Sequence, residues 1–179
     1  ENSFRDVNIA FANEMSILCD DLDIDVRELI FLANKHPRVN ILNPGCGVGG
    51  HCISVDPWFI VDSGKGKAKL VEQARRTNDY KSKWVVEKVK NKAVNFEKKY
   101  GREPIIACMG ISFKPNIDDL RESPALYISS QLHKEYKVVA VEPNITRHDF
   151  LHLVDFSEGL KADICVYLVA HKQFNLNSL

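Results

Sequence analysis

"PIIACMGI", residues 104–111, is a short apolar run that decides the fold when it is read with its neighbours. Apolar runs of this length, bounded by turn-forming residues, are typical of buried strands. Two similar runs follow, "KVVAVEP" at 137–143 and "DICVYLVA" at 163–170, and helical patterns lie between them at 122–135 and 155–162. This alternation of strands and helices predicts a parallel sheet with right-handed crossovers, and therefore an α/β fold class.

The part of the chain before this domain is predicted to be helical. Apolar side chains recur at helical spacings in the first helix, at Phe4, Val7, Phe11, Leu18 and Leu22. The stretch "DDLDID" predicts a break, with Asp25 as the N-cap of a second helix. Two more helices are predicted, one from "DPWFIV" at 56–61 and one over residues 68–99. We place the aromatic side chains of Trp58, Phe59 and Trp84 in the core.

The composition excludes several classes of function. Lysine plus arginine equals aspartate plus glutamate, 24 each, in a chain of 179 residues. Bulk charge therefore gives no reason to expect nucleic acid or an anionic membrane as a partner. No apolar run approaches the length of a membrane span, and the odd number of cysteines, five, predicts reduced thiols in a cytoplasmic protein. The chain opens inside a helical pattern without methionine, so we expect a fragment of a longer protein.

A glycine-rich segment, "NPGCGVGGHCISVDPWF" at 43–59, is the strongest candidate for a functional site. Gly45, Gly47 and Gly50 match the dinucleotide pattern G-x-G-x-x-G, but a single match is weak without a strand before it and a second strand after its helix. Helical patterns follow this segment instead, so we reject a dinucleotide loop.

Metal chemistry is also a poor interpretation of this segment. Cys46, His51 and Cys52 lie close together in sequence, but no C-x-x-C pair is present and adjacent His51 and Cys52 would struggle to bind one ion. We predict no metal site.

A nucleophilic cysteine is the third interpretation. If a helix begins near His51, Cys52 lies at its positive end, where thiolate is favoured. Asp56 would then lie four residues on, on the same face, as a carboxylate able to activate water for covalent acyl chemistry. The alternative is that Asp56 and Pro57 form an ordinary helix start and that Cys52 is a small buried apolar residue. The residues alone leave both open.

Three stretches resemble a known family: "ENSFRDVNIAFANEM" at 1–15, "HPRVNILNPGCGVGGHCISVDPWFIV" at 36–61 and "GISFKPNIDDLRESPA" at 110–125. They are similar, in the same order, to the UDP-glucose/GDP-mannose dehydrogenases, which oxidise nucleotide sugars at C6. The lead-in "HPRVNIL" and the run after the double glycine favour the branch that acts on N-acetylmannosamine. Cys46 departs from the pattern, where we expect proline.

The resemblance implies a domain organisation. Family members carry an N-terminal Rossmann domain for NAD, a central helical dimerisation region and a C-terminal Rossmann-like domain for the UDP-sugar. We assign residues 1–101 to the second part and residues 102–179 to a truncated third part, and we expect the NAD-binding domain to be absent. A catalytic lysine is expected four residues before Asn2, outside the chain. The implied cofactor is NAD, and the implied partners are a UDP-sugar and a second copy in a homodimer.

The resemblance also implies a reaction. The C6 alcohol is oxidised twice, with two NAD per sugar, and Cys52 holds the intermediate as a thiohemiacetal and then as a thioester. Asp56 matches the aspartate that activates water to release the uronate. Asn2 matches an asparagine that stabilises negative charge on the sugar oxygen, although it could equally cap a helix.

The remaining implied site residues contact the substrate or the cofactor. Gly49 and Gly50 match positions beside the substrate, and Arg38 matches an arginine that reaches the neighbouring subunit's sugar site; a surface charge is its alternative. Lys114 matches a substrate-binding lysine and Arg121 an arginine near the cofactor phosphates. Both follow a predicted strand end, where a cation suits a phosphate, but a solvated loop charge remains open.

Two other functions stay open. The chain could belong to a dehydrogenase for another UDP-sugar, such as UDP-N-acetylglucosamine or UDP-glucose. It could also be a non-catalytic module that binds a UDP-sugar or mediates dimerisation.

Overall fold

The computed structural model describes residues 1–174. They form two compact units, one over residues 1–81 and one from Ser82 onward. The division lies inside a long helix, α4 (Lys69–Tyr100), whereas the sequence placed the domain boundary at the end of that helix. Within the described residues, no helix is both long enough and apolar enough to cross a membrane.

Helices make up the first unit, as the sequence predicted. They are α1 (Asn2–Asp21), α2 (Val26–Ala33), α3 (Asp56–Ser63) and the first turns of α4. The predicted break before α2 is confirmed, because the Asp25 side chain accepts a hydrogen bond of 2.8 Å from the Arg27 amide and caps the helix.

Buried polar side chains join α1 to α4 in this unit. Asp6 and Asn13 of α1 and Arg75 and Asn78 of α4 are all buried. Arg75 Nη1 lies 2.6 Å from Asp6 Oδ1, and the Asn78 amide donates to the same oxygen at 2.8 Å. Buried charges are tolerated only when they are paired in this way, so the two helices are held in one register.

The predicted stripe on α1 faces outward. Phe4, Phe11 and Leu22 are 73%, 50% and 68% exposed. Trp58 and Phe59 of α3 are also exposed, so their placement in the core was wrong. Apolar spacing identifies a face of a helix, but it cannot say whether this chain or another molecule covers that face.

The second unit is built on a parallel sheet, with a helix on the connections β1–β2 and β3–β4 and none between β2 and β3. Its elements are β1 (Ile105–Met109), α5 (Pro124–His133), β2 (Lys137–Val141), β3 (His152–Leu153), α6 (Phe156–Gly159) and β4 (Ile164–Tyr167). All strand pairs are parallel and the strand order is β3-β2-β1-β4, which is Rossmann-like. The predicted α/β fold class is confirmed, while the two-residue β3 was not predicted.

The sheet core is set by β1 and the elements against it. Residues 106–109 of β1 are fully buried between its two neighbouring strands. A Cβ on Gly159 would collide with Val141, so α6 can approach the sheet only because glycine stands there. Because β1, β2 and β4 run parallel, their carboxyl ends meet at one edge of the sheet, where loops can carry a binding site.

Candidate active site

Two of the implied catalytic residues meet in the first unit. The Asn2 side-chain amide donates to Asp56 Oδ2 at 2.5 Å, across 54 positions of sequence. Asn2 is the first residue of α1 and Asp56 the first of α3. The α1 N-cap is Glu1 and makes no side-chain capping bond, so Asn2 is not the cap that the alternative interpretation required.

Cys52 lies in a turn before α3, not in a helix. The helix begins at Asp56, as "DPWFIV" predicted, so the condition of a helix start near His51, on which a thiolate at Cys52 was argued, is not met. The Cys52 carbonyl accepts hydrogen bonds from the amides of Val55 at 3.1 Å and Asp56 at 2.8 Å. This turn still sets Asp56 one turn beyond Cys52, and Cys52 is exposed, which contradicts the alternative of a buried apolar cysteine.

The glycine-rich segment is anchored to the buried polar layer. The Gly45 amide donates to Asn13 Oδ1 at 2.8 Å, and the Asn13 amide donates to Asn78 at 2.9 Å. Gly50 is buried with φ +84°, a conformation that residues with a side chain rarely adopt, and its carbonyl accepts from the Ser54 hydroxyl. Gly49 is partly buried beside it. No strand-turn-helix unit surrounds these glycines, so rejecting a dinucleotide loop here was sound.

The two cysteines of the segment lie in different surroundings, Cys46 partly buried and Cys52 exposed. Burial raises the pKa of the Cys46 thiol to about 12, against a smaller opposing effect of Lys81. A thiol with such a pKa is almost entirely protonated at neutral pH and is a poor nucleophile. Of the pair, exposed Cys52 is the better candidate for covalent chemistry. Among the described residues, no three histidine, cysteine or acidic side chains cluster as metal ligands would.

Arg38 lies in the turn after α2, apart from the contact between Asn2 and Asp56. It is exposed, and its amide hydrogen points to His36 Nδ1 at 3.3 Å. An exposed guanidinium on a turn is able to reach another molecule, and it is equally consistent with the surface charge of the alternative interpretation.

In the second unit, Lys114 and Arg121 both lie in the loop between β1 and α5. Lys114 is exposed at the carboxyl edge of the sheet, with its ammonium 5.3 Å from the centre of the Phe113 ring. Arg121 is exposed but is engaged by Asp119, with Nη2 2.6 Å from Oδ2. The structure therefore leaves Lys114 better disposed than Arg121 for a phosphate.

Sequence reasoning missed a buried polar cluster at the same edge. Glu142 follows β2 and His171 follows β4, and their side chains are fully buried with His171 Nε2 3.0 Å from Glu142 Oε2. Glu142 also accepts the amides of Ile111 and Ser112, at 2.9 and 3.0 Å. The signal was available: a polar residue directly after a strand of a parallel sheet lies at the ligand-binding edge.

The contacts of Glu142 argue against dinucleotide binding at this edge. In a dinucleotide-binding Rossmann fold, an acid after the second strand holds the ribose and a glycine-rich turn follows the first strand. Here Glu142 is buried and turned to backbone amides, and the turn after β1 reads "GISFKPN" at 110–116. Within the described part of the chain, these residues do not fit NAD.

Comparison with known proteins agrees with an enzyme class that handles nucleotide sugars. The central-domain model of the UDP-glucose/GDP-mannose dehydrogenase family matches residues 1–80, and the UDP-binding-domain model of that family matches residues 107–178. The chain belongs to this family, as the sequence resemblance predicted.

Individual relatives point in the same direction. The chain is 55% identical over 184 residues to the UDP-N-acetyl-D-mannosamine dehydrogenase of Campylobacter jejuni, covering 97% of this chain and 44% of that protein. It is 52% identical to an NDP-N-acetyl-D-galactosaminuronic acid dehydrogenase of Ralstonia nicotianae, covering 97% and 42%. The solved UDP-D-ManNAc dehydrogenase of Pyrococcus horikoshii aligns with a TM-score of 0.84 at 36% identity, covering 97% and 41%. The chain spans less than half the length of these relatives.

Proposed function

We propose that this chain is the central and UDP-binding part of an NAD-dependent UDP-N-acetyl-D-mannosamine 6-dehydrogenase. The observation that carries the proposal is the contact of Asn2 with Asp56, one turn from exposed Cys52. It joins residues that are remote in sequence and to which the family resemblance gives roles in one reaction.

The family resemblance supplies the chemistry that we assign to these three side chains. The Cys52 sulfur attacks the C6 aldehyde and keeps it covalently bound as a thiohemiacetal, so that the reactive aldehyde is not lost. In the complete enzyme, NAD would be the hydride acceptor for both oxidations, that of the alcohol and that of the thiohemiacetal. The resulting thioester is cleaved by water, and Asp56 is the base that takes the water's proton.

Asn2 has two tasks in this scheme. Its amide has two N–H donors, and one is used by Asp56 at 2.5 Å. The bond holds the carboxylate in one orientation, and the second donor is available for the negatively charged oxygen that develops on C6. A neutral donor suits this task, because it stabilises charge without neutralising the nearby base.

The nucleotide is assigned to the second unit. Lys114 lies at the carboxyl edge of a parallel sheet, where ligands of open α/β folds bind, and its ammonium suits a diphosphate. Since Glu142 and the turn after β1 do not match a dinucleotide-binding Rossmann fold, we assign this edge to the UDP moiety. Arg121, which the resemblance places near the cofactor phosphates, would first have to leave Asp119.

The sugar is the finer part of the proposal. The Campylobacter relative is named for UDP-N-acetyl-D-mannosamine, and the Ralstonia relative, at similar identity, for N-acetyl-D-galactosaminuronic acid. Both names contain an N-acetylated hexose, which favours such a sugar over UDP-glucose. Turnover of UDP-N-acetylmannosamine, UDP-N-acetylglucosamine and UDP-glucose by the complete enzyme would separate the alternatives.

The assembly and location are also part of the proposal. The outward apolar stripe of α1 supports a homodimer, because large exposed apolar patches mark protein interfaces. All five cysteines are free thiols in the structure, which fits a protein of the cytoplasm.

The proposal is tested by comparing two cysteine variants of the complete enzyme. Cys52→Ala should abolish uronate formation, while Cys46→Ala, a matched change six residues earlier, should leave most of it. The readout is uronate detected by mass spectrometry together with NADH absorbance. Comparable uronate formation by both variants would overturn the assignment of Cys52.

A further inference from the structure

The segment 111–116, which carries Lys114, is fastened at both ends to one buried pair. At its start, the amides of Ile111 and Ser112 donate to Glu142 Oε2. At its far end, the Asn116 amide lies 3.0 Å from His171 Nδ1. Glu142 and His171 are themselves 3.0 Å apart and have fully buried side chains.

These contacts fix how the His171 ring is protonated. A backbone amide can only donate, so Nδ1, which faces the Asn116 amide, must be an acceptor. The hydrogen then lies on Nε2, which donates to Glu142 Oε2 at 3.0 Å. Asn144 Nδ2 completes the cluster, with one contact to Glu142 Oε1 at 3.0 Å and one to His171 Nδ1 at 3.1 Å.

The far end of the segment 111–116 depends on this arrangement. Asn116 has φ +63°, a backbone conformation that is uncommon for residues with a side chain. It is held there by its amide on His171 and by its own Oδ1, which accepts the Lys172 amide at 2.8 Å. Two residues after β4 therefore hold the loop after β1.

Glycine at position 110 allows the loop after β1 and the loop after β4 to approach each other closely. This residue has φ +84°, and a Cβ there would lie 2.6 Å from the Cβ of Val169. Only glycine lets the end of β1 come so near to the segment that carries His171.

We propose that His171, acting through Asn116 and supported by Glu142, is the positioning residue for Lys114 in binding the nucleotide diphosphate. The inference rests on the proposed function, which makes Lys114 a ligand of the diphosphate. Lys114 is exposed and has a long flexible side chain, so only its backbone can be fixed in advance. Fixing the backbone before binding reduces the ordering cost that the ligand would otherwise have to overcome.

Two variants test the hydrogen bonds of the two ring nitrogens of His171 separately. The Oδ1 of His171→Asn can occupy the place of Nδ1 and accept the Asn116 amide, but the donor to Glu142 is lost. The amide of His171→Gln can reach Glu142 in place of Nε2, but the acceptor for Asn116 is lost. Both variants keep a polar side chain of similar size, so a general loss of packing should affect them alike.

The probe is UDP, measured by titration calorimetry on this chain, with hydrogen exchange at the Asn116 amide as a second readout. We expect His171→Gln to weaken UDP binding by roughly five- to tenfold, the value of one hydrogen bond, and to speed exchange at Asn116. His171→Asn should remain within about twofold of the original chain in both measurements, since its acceptor restores the bond. Urea unfolding of the two variants shows whether their stabilities are matched.

The possible failures are distinguishable. Equal exchange at Asn116 in His171→Gln and the original chain would overturn the anchoring itself, and equal loss of UDP affinity in both variants would show a merely structural histidine. If the original chain does not bind UDP at millimolar concentration, or if Lys114→Ala does not weaken binding, the ligand assigned by the proposed function is wrong and the positioning role falls with it.

Discussion

At the scale of single residues, burial separates the thiols of the chain. Cys52 is exposed, while burial raises the pKa of Cys46 to about 12 and of Cys108 to about 11. Alkylation requires thiolate and access together. Iodoacetamide at pH 7.5 should therefore modify Cys52 far faster than Cys46 or Cys108, as followed by peptide mass spectrometry.

The dependence of the alkylation rates on pH gives a second test. Since a raised pKa keeps a thiol protonated until the pH approaches that value, the Cys46 rate should rise only in strongly alkaline solution. The Cys52→Ala variant serves as the control, because its loss should remove the fast phase and no other. A fast phase at Cys46 near neutral pH would contradict the structure.

Asp163 is the carboxylate whose protonation should weaken the second unit. It accepts two hydrogen bonds from Arg102, at 2.7 and 2.8 Å, and one from the Ile105 amide at 2.8 Å, and these hold its pKa at about 2. A lowered pKa gives stability that is present above the unfolded value of 3.8 and is lost as the pH falls toward 2.

Asp163→Asn should accordingly lower the free energy of unfolding at pH 7 by about 1 kcal/mol, a modest value because Arg102 is largely exposed. It should also flatten the dependence of stability on pH between about 4 and 2. Urea unfolding at several pH values measures both, with Asp149→Asn, an exposed carboxylate, as the control. An unchanged pH profile in Asp163→Asn would remove Asp163 from this role.

At the scale of elements, one buried ion pair joins α1 to α4. Arg75 and Asp6 have side chains 2% and 0% exposed, and burial raises the pKa of Asp6 despite the opposing effect of Arg75. Within the described residues, Asp6 Oδ2 and Arg75 Nε make no hydrogen bond, so the pair is not fully satisfied. Such a pair fixes helix register more than it adds stability.

Arg75→Leu should destabilise the chain by about 3–5 kcal/mol, because it leaves the Asp6 carboxylate buried without its counter-charge. The next residue provides a matched control: Arg76 pairs with Glu72 on the exposed face of the same helix, and Arg76→Leu should cost less than about 1 kcal/mol. Chemical unfolding compares them. If the double variant Asp6→Asn, Arg75→Leu is no more stable than Arg75→Leu alone, the unpaired carboxylate is not the cause.

The elements show how far the sequence could be interpreted. Helices with regular apolar spacing and strands with continuous apolar runs were predicted within a few residues, and the Asp25 cap was recognised from its side chain. The start of α3 at Asp56 was predicted from "DPWFIV", whereas the turn formed by hydrogen bonds to the Cys52 carbonyl leaves no periodicity to detect. The strand β3 has two residues and pairs only with β2, so it leaves no pattern to detect.

The two units differ in how much of the candidate site the sequence could indicate. Cys52 and Asp56 are close in sequence, so a local pattern could suggest them. The partnership of Glu142 and His171 exists only because β2 and β4 flank β1 in the sheet, and strand order is not visible in a single polar residue. Spatial neighbours contributed by different strands need the fold before they can be recognised.

At the scale of the whole molecule, the exposed stripe on α1 predicts a homodimer. Phe4 and Phe11 are at least half exposed, and an apolar stripe of this kind on a helix needs a partner. Phe11→Glu should shift the chain to monomer at micromolar concentration, as measured by analytical ultracentrifugation. Leu160→Glu, which changes an exposed apolar side chain of the second unit, should leave the dimer unchanged. A stable monomer for the unmodified chain would contradict the prediction.

This chain should bind the nucleotide without carrying out the oxidation. The β1–α5 loop with Lys114 lies wholly within the chain, so UDP or a UDP-sugar should bind, although weakly. Glu142 is engaged by backbone amides instead of being open to a ribose, so we expect the sheet edge of this chain to hold no NAD. We therefore expect calorimetry to detect UDP binding by this chain, with Kd in the range of roughly 0.1–1 mM, corresponding to about −5 kcal/mol.

The same chain, mixed with UDP-N-acetylmannosamine and NAD, should produce no increase in absorbance from NADH. Lys134→Ala provides the control for binding, because Lys134 is an exposed lysine hydrogen-bonded only locally, to Gln131, and its loss should not change the affinity for UDP. Lys114→Ala should weaken that affinity by roughly tenfold, the effect of removing one charge-assisted contact. NADH production by the chain alone would refute the assignment of its sheet edge to UDP and would require a dinucleotide site within these residues.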